Sequence, residues 1–346
     1  MIPQVYVDGM NLAALAPVSD LVIAHEFPAP GVGGPVTADF TLLLAPNQRP
    51  GWLVKDAPAE VRFGPGLPML AGTLSEPDWT DGSITINAAS TEGDSTVCMA
   101  ADESTTSSTP DVVLDAAKAR GALTWTRPAS ISTTPLMDGD QPADLNSVSD
   151  MLGAYCDANT NTRVYVDAYR QILKTTDPVT PELFILPGAG ELAWTSEAQA
   201  TRVVGRWADK NGGLHTTMVG SGAIEQLVDL TVKGPLTAAS ATVLLNSVLA
   251  RATSGGWANG LTLAAEQFVG APHLAAVADM VGKGVMVRIL GQRDPRPNRI
   301  PVGYVDVIVE RSEWHVADSQ IILTPRGMVA RDWTAILADV GLSEAA

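Results

Sequence analysis

Val61-Arg62-Phe63-Gly64 leads through a proline-containing loop to Gly72, then to Glu76-Pro77-Asp78-Trp79, Asp81 and Ile84-Thr85-Ile86, with Phe40-Thr41-Leu42 standing before it. Toward the other end of the chain the same order returns. There Leu261-Thr262-Leu263 precedes Val287-Arg288-Ile289-Leu290-Gly291, a proline loop, Gly303, Glu313-Trp314, Asp318 and Ile321-Ile322-Leu323. In each string a Val-Arg strand feeds a loop that ends on Gly, Trp, Asp and an apolar strand. Val-Arg and a later tryptophan are easy to match, and the spacings differ by several residues. The shared order of all the parts is what points to two copies of one β unit.

Around the first copy the chain reads as short strands. Asp20–Phe27 is followed by a Pro/Gly stretch through Pro35 that breaks it, then come Thr37–Leu44, Ala59–Phe63, Met69–Leu74 and Ser83–Ala88. The last alternates, with Ile84, Ile86 and Ala88 on one face, as a strand packed on one side should. Residues 102 to 109 are a polar low-complexity boundary. Thr109-Pro110-Asp111 then starts a helix that stops at Gly121: a capping hydroxyl, a proline at the first position and an acid in the first turn. A second helix begins at Ser147 with Val148, Met151, Leu152 and Tyr155 on one face, and Arg163–Asp167 with Gln171–Lys174 form a hairpin.

From about residue 196 the pattern returns to β. Thr201–Trp207 and Leu214–Val219 pair across Asn211-Gly212-Gly213. A long helix capped by Thr237 turns Val243, Leu244, Val248 and Leu249 to a core. Strands follow at Leu261–Phe268, Val285–Leu290, Val302–Glu310 and Gln320–Thr324, with a short helix over Trp333–Val340. The expected fold is mainly β with an α+β insertion. It comprises a first tube-like β-barrel or sandwich domain (1–101), an inserted α+β domain (102–195) and a second tube-like β domain with a packed helix (196–346).

The 346 residues are 46% apolar but only 17% charged, which favours a surface covered by partners. The net charge of −16 argues against a protein that grips nucleic acid, since binding needs cations to displace phosphate counterions. It accords with a surface that DNA passes without adhering. Cys98 and Cys156 have no metal or disulfide spacing, no secretory signal stands at Met1–Val7, and no apolar run reaches membrane length.

Catalytic sets are missing as well. Of the four histidines, His25, His215, His273 and His315, the first, second and last fall in or beside strands without a ligand partner two or four residues away. Asp138-Gly139-Asp140 lacks the closing Glu of a calcium loop. Gly188-Ala189-Gly190-Glu191 and Gly282-Lys283-Gly284 lack the rest of a phosphate loop and read as turns. The pairs Glu76/Asp78 and Glu310/Glu313 have no aromatic sugar platform around them, and Trp79, Trp314 and Trp333 read as packing or interface residues in preference to glycan binders. No catalytic, cofactor-binding or metal residue is assigned, no cofactor is expected, and the chain reads as a non-enzyme.

Softer strings carry a resemblance along most of the chain. They are Gly72-Thr-Leu-Ser-Glu-Pro-Asp-Trp79, Asp111-Val-Val-Leu-Asp-Ala-Ala-Lys-Ala-Arg-Gly121, Ser147-Val-Ser-Asp-Met-Leu152 leading to Val166-Asp167, and Thr176-Asp-Pro-Val-Thr-Pro181. Gly222-Ala-Ile-Glu-Gln-Leu-Val-Asp-Leu230 and Gly284-Val-Met-Val-Arg288 complete the series. In this order they resemble the tail-hub or baseplate-hub family of tailed bacteriophages, the minor tail proteins of actinobacterial siphophages. The resemblance implies a structural homotrimer at the distal tip of the virion tail, assembled in the host bacterial cytoplasm and adapting a sixfold tube to a threefold tip. It also implies contacts with a distal tail ring protein, a tape measure and tail-tip proteins, and viral DNA passing without specific binding or membrane insertion. The alternatives are a distal tail ring protein, a glycan-binding tail-tip protein or, further off, a wall-degrading tail hydrolase.

Overall fold

The computed structural model describes residues 3–28, 31–44, 50–63, 68–79, 82–88, 109–133, 148–159, 162–196, 200–231, 235–253, 255–300 and 302–329. The chain divides into two compact units. The first comprises 1–191, 261–294 and 300–326, and the second 192–260, 295–299 and 327–346. This grouping cuts across the three-part division expected from composition, because 261–294 and 300–326 join the first strands and the α+β segment in the first unit while 327–346 falls in the second. The polar boundary at 102 to 108, Cys98, Ser147, Asp138-Gly139-Asp140 and the helix expected at Trp333–Val340 lie outside the described residues.

The fold is mainly β, built on one large curled sheet with a few helices. The first unit opens with β1 (Gln4–Val7), β2 (Met10–Asn11), β3 (Val18–Glu26), β4 (Val32–Leu42), β5 (Pro58–Arg62), β6 (Pro68–Leu74) and β7 (Ser83–Ala88). It continues with α1 (Pro110–Ala119), α2 (Val148–Ala158), β8 (Thr162–Val166), β9 (Ile172–Thr176) and β10 (Leu183–Ile185). The second unit holds β11 (Trp194–Thr195), β12 (Arg202–Ala208), β13 (Leu214–Gly220), β14 (Glu225–Asp229), α3 (Ala238–Thr253) and β15 (Gly256–Trp257). The chain then returns to the first unit as β16 (Leu261–Ala264), α4 (Leu274–Lys283), β17 (Val285–Leu290), β18 (Tyr304–His315) and β19 (Gln320–Pro325).

The two similar strings fold into the same strand arrangement. In the first, β4 pairs with β7, β7 with β6 and β6 with β5, all antiparallel. In the second, β16 pairs with β19, β19 with β18 and β18 with β17, again antiparallel. Val61 opposite Leu70 matches Val287 opposite Val307. The register corrects the alignment of the strings in two places. Phe40 lies opposite Ile84 while Leu263 lies opposite Ile321, so Phe40 corresponds to Leu263 and not to Leu261. Trp314 is inside β18 opposite Ile321, whereas Trp79 follows β6 in the turn next to the Asp78–Ser83 bridge, so the tryptophans are not equivalent.

β18 is longer than expected and runs past Glu310. Its first half pairs with β17, and its second half lies between β19 and β3, with Arg311 opposite Glu26 and Trp314 opposite Ile23. β4 starts earlier than expected and includes Pro35, where the β3–β4 register shifts at Ala24/His25. The glycines permit this. A Cβ on Gly33 would come within 2.8 Å of the Gly282 carbonyl oxygen at the end of α4, so only glycine lets the helix approach that strand.

The α+β segment has the capping chemistry its sequence required. Thr109 Oγ1 accepts from Val112 N at 3.3 Å, and Gly121 ends the turn at φ +76°. Val148, Met151, Leu152 and Tyr155 are buried against Val113, Leu114, Trp125, Val164 and Ile172. In the second unit, α3 covers the sheet β13-β12-β14, in which β14 is parallel to β12. Its buried face is Ala241, Leu245, Val248 and Ala252; Val243, expected in the core, is 64% exposed. Gly205 makes that packing close, since a Cβ there would meet Leu245 Cδ2 at 2.5 Å.

Gly72 tests the first copy of the repeat. A Cβ on it would overlap the Asn87 carbonyl oxygen and sit 2.8 Å from Ala88 Cα, both backbone atoms of β7 that cannot yield cheaply. Gly72→Ala is expected to cost about 2 kcal/mol or more by urea denaturation. Gly51→Ala, at an open position, should stay within about 0.5 kcal/mol of the parent. Equal stability of the two variants would contradict the β6–β7 register.

Candidate functional site

Four segments of the first unit bring their aromatic and titratable side chains around one cavity of about 340 Å³. β3 supplies His25, the end of β5 supplies Phe63, the β8–β9 turn supplies Asp167 and Tyr169, and α4 supplies Asp279 and Lys283. His273 caps the start of α4, its Nδ1 accepting from Ala275 N at 3.2 Å. Its ring lies 4.5 Å from that of Phe63 and 5.6 Å, edge to face, from the buried Trp314. Tyr169 is 55% exposed, so the cavity opens to solvent. Asp167 shapes that wall: its Oδ1 accepts from Tyr169 N at 2.9 Å and Gln171 N at 2.8 Å, which sets the turn. Lys283 and Asp279, one helical turn apart, pair at 2.6 Å.

His25 is the unusual member. It is 2% exposed, and its Nδ1 is buried without a hydrogen-bond partner. Burial pushes its pKa from 6.5 down to about 4; Asp279 opposes that shift and Lys283 adds to it. The imidazole is therefore neutral at pH 7. Ser312, paired directly across from it on β18, also buries a hydroxyl with no partner.

The other residues singled out in the sequence do not gather. His215 stacks on Trp207 and bonds Asp209 at 2.9 Å, closing the β12–β13 hairpin. His315 ends β18. Gly282 and Lys283, expected in a turn, belong to the last turn of α4, and Gly284 ends that helix at φ +95°. Gly188 is a turn residue at φ +77°. Glu313 is held by Arg311 at 2.9 Å, while the carbonyl of Glu310 accepts from Phe27 N. Cys156 is buried in the α+β core as a reduced thiol. Among the described residues no three His, Cys, Asp or Glu side chains cluster to hold a metal, and no helix is long and apolar enough to cross a membrane.

Two surface properties bear on partners. Arginines are paired with carboxylates at Arg62–Glu60, Arg127–Asp115, Arg163–Asp177, Arg202–Glu225, Arg288–Asp306 and Arg326–Asp177. Arg163 and Arg326 share Asp177, so these six arginines are matched by five carboxylates and the net charge of −16 resides on carboxylates outside them. In the second unit, the sheet face away from α3 carries the cross-strand row Leu227, Val204, Met218. Leu227 is 71% and Met218 58% exposed. Arg202 with Glu225 flanks the row on one side, and Arg206 opposite Asp229 flanks it on the other.

The chain matches no protein-family model and no curated protein at a significant level. Among solved structures it is similar to the 43 kDa tail protein of prophage MuSo2 from Shewanella oneidensis. The two share 11% identity and a TM-score of 0.50 over 94% of this chain and 97% of that one. It also matches prophage tail protein gp18 from Listeria monocytogenes EGD-e, at 11% identity and a TM-score of 0.42 over 93% and 98%. The architecture described above is thus shared with the MuSo2 tail protein.

The burial of neutral His25 has a pH signature. Its folded pKa lies below its unfolded value, so its contribution is complete above pH 6.5 and is lost as pH falls toward 4, by about 3 kcal/mol in total. His25→Asn should lose less stability than the parent between pH 7 and pH about 4.5 in urea titrations. Parallel losses in the two proteins would show that His25 is not buried neutral.

Proposed function

We propose that this chain is a structural component of a bacteriophage tail, and within the tail the trimeric hub at its distal tip. The observation that carries the reading is the repeated order of four antiparallel strands, β4-β7-β6-β5 and β16-β19-β18-β17, in one chain. Three chains carrying two such halves each present six similar units around an axis, which is what joining a sixfold tube to a threefold tip requires. The fold shared with a prophage tail protein supports the coarser part of the proposal.

In this reading the virion tail tip is the protein's location, and the distal ring, tape measure and tip proteins are its neighbours. The unneutralised carboxylates suit a channel wall, since like charge repels the DNA phosphates along the path. An apolar row with ionised flanks resembles the centre and rim of a protein contact. We assign the Leu227–Val204–Met218 row to contact between chains.

The mass of the native assembly by light scattering tests this. Three chains of 36.1 kDa each are expected, and Leu227→Asp should shift the population toward monomer without lowering the melting temperature. A monomer at high concentration would overturn the hub, and six chains would indicate a simple ring protein. A Leu227→Asp protein that still assembles normally would remove that row from the interface.

A further inference from the structure

We propose that the cavity floored by His25 is a binding site for an uncharged aromatic group carrying one hydrogen-bonding function, of the indole or phenol class. Its volume, about 340 Å³, is roughly twice that of a cavity that admits benzene, and lies in the range of small-molecule sites. That space suits one or two rings. The walls are aromatic and soft: Phe63 and His273 stand together on one side, with Tyr169, Met69 and Ala276 completing the lining. Rings stack or meet edge to face on such walls, and a thioether adds favourable contact.

The hydrogen-bonding function follows from the floor. A polar ring in a nearly dry wall gains from a guest that can hydrogen-bond to it. His25 lines the cavity and is almost wholly buried, with Nδ1 closed off on the protein side, so a guest meets the remaining edge of the imidazole. A neutral imidazole presents one donor and one acceptor, so it serves an N–H or O–H group without asking for charge. Charge at the rim points the same way. Asp279 and Lys283 cancel at 2.6 Å, leaving Asp167 as the remaining lining carboxylate, and one of its oxygens already holds the turn. An anion would be repelled there, and no described lining residue offers it a free cation. This inference does not depend on the tail assignment, and mass measurements do not bear on it.

The probe is indole itself, titrated into the full chain by calorimetry and followed by saturation-transfer NMR. Saturable binding with a dissociation constant of about 1 mM or tighter is expected for a ligand of this size. Ala276→Phe, on the exposed side of α4 at the mouth, should abolish it while the melting temperature is retained. Phenol should bind the parent several-fold more tightly than toluene, and His25→Leu should erase that preference. No saturable binding at about 10 mM indole would overturn the proposal. So would undiminished binding to Ala276→Phe, which would place the ligand elsewhere. Tighter binding of tetramethylammonium than of indole would overturn the ligand class, and a phenol preference unchanged in His25→Leu would remove His25 from the site.

Discussion

The second half of β18 holds the first unit together. Main-chain hydrogen bonds tie residues 311–315 to β19 on one edge and to β3 on the other, and in the strand order of the large sheet β18–β3 is the step between the two four-strand repeats. The register shift between Val309 and Arg311 falls in the pairing with β19, at the point where β18 passes from β17 to β3 as its other partner. Phe27 N donates to the Glu310 carbonyl at 2.6 Å at that junction, and Arg311 reaches both Glu26 and Glu313. A strand pairing between residues almost three hundred positions apart carries a large loop-closure cost. The buried side chains of Ile23, Trp314 and Ile321 offset it.

α4 depends on the same joint. It packs on β3, β4 and β18, and the glycines at 33 and 282 bring its last turn close to the strand backbone. His25 lies beneath it, and the aromatic cavity follows from that placement. The cavity is thus a product of the seam between the repeats, with walls drawn from β3, the end of β5, the β8–β9 turn and α4.

Much of the fold was legible because its signals are local. Ile84, Ile86 and Ala88 alternate and are buried, and Thr109 and Thr237 cap the helices they precede, Thr237 Oγ1 accepting from Ser240 N at 3.2 Å. α4 was missed although Leu274, Val277, Ala278 and Val281 recur at helical spacing, because its cap is a histidine and not Ser, Thr, Asp or Asn. β14 was missed because Leu227 and Asp229 both face outward around a single buried Val228, so the strand has little apolar signature. On α3 a small residue, Ala241, took the core position that size alone would give to Val243. Pro35 lies inside a strand because the neighbouring register shift relieves the missing N–H. The cavity was not legible at all. His25, Phe63, Tyr169 and His273 are brought together only by the tertiary fold, and nothing in their spacing marks it.

In the proposed hub, each chain contributes two similar halves to a closed ring. End-on cryo-EM of the purified assembly reads this most directly. Threefold symmetry is predicted, with six similar sheets alternating around an open axial channel. A strictly sixfold ring, in which every sixth is a whole chain, or particles with no axial symmetry, would contradict it.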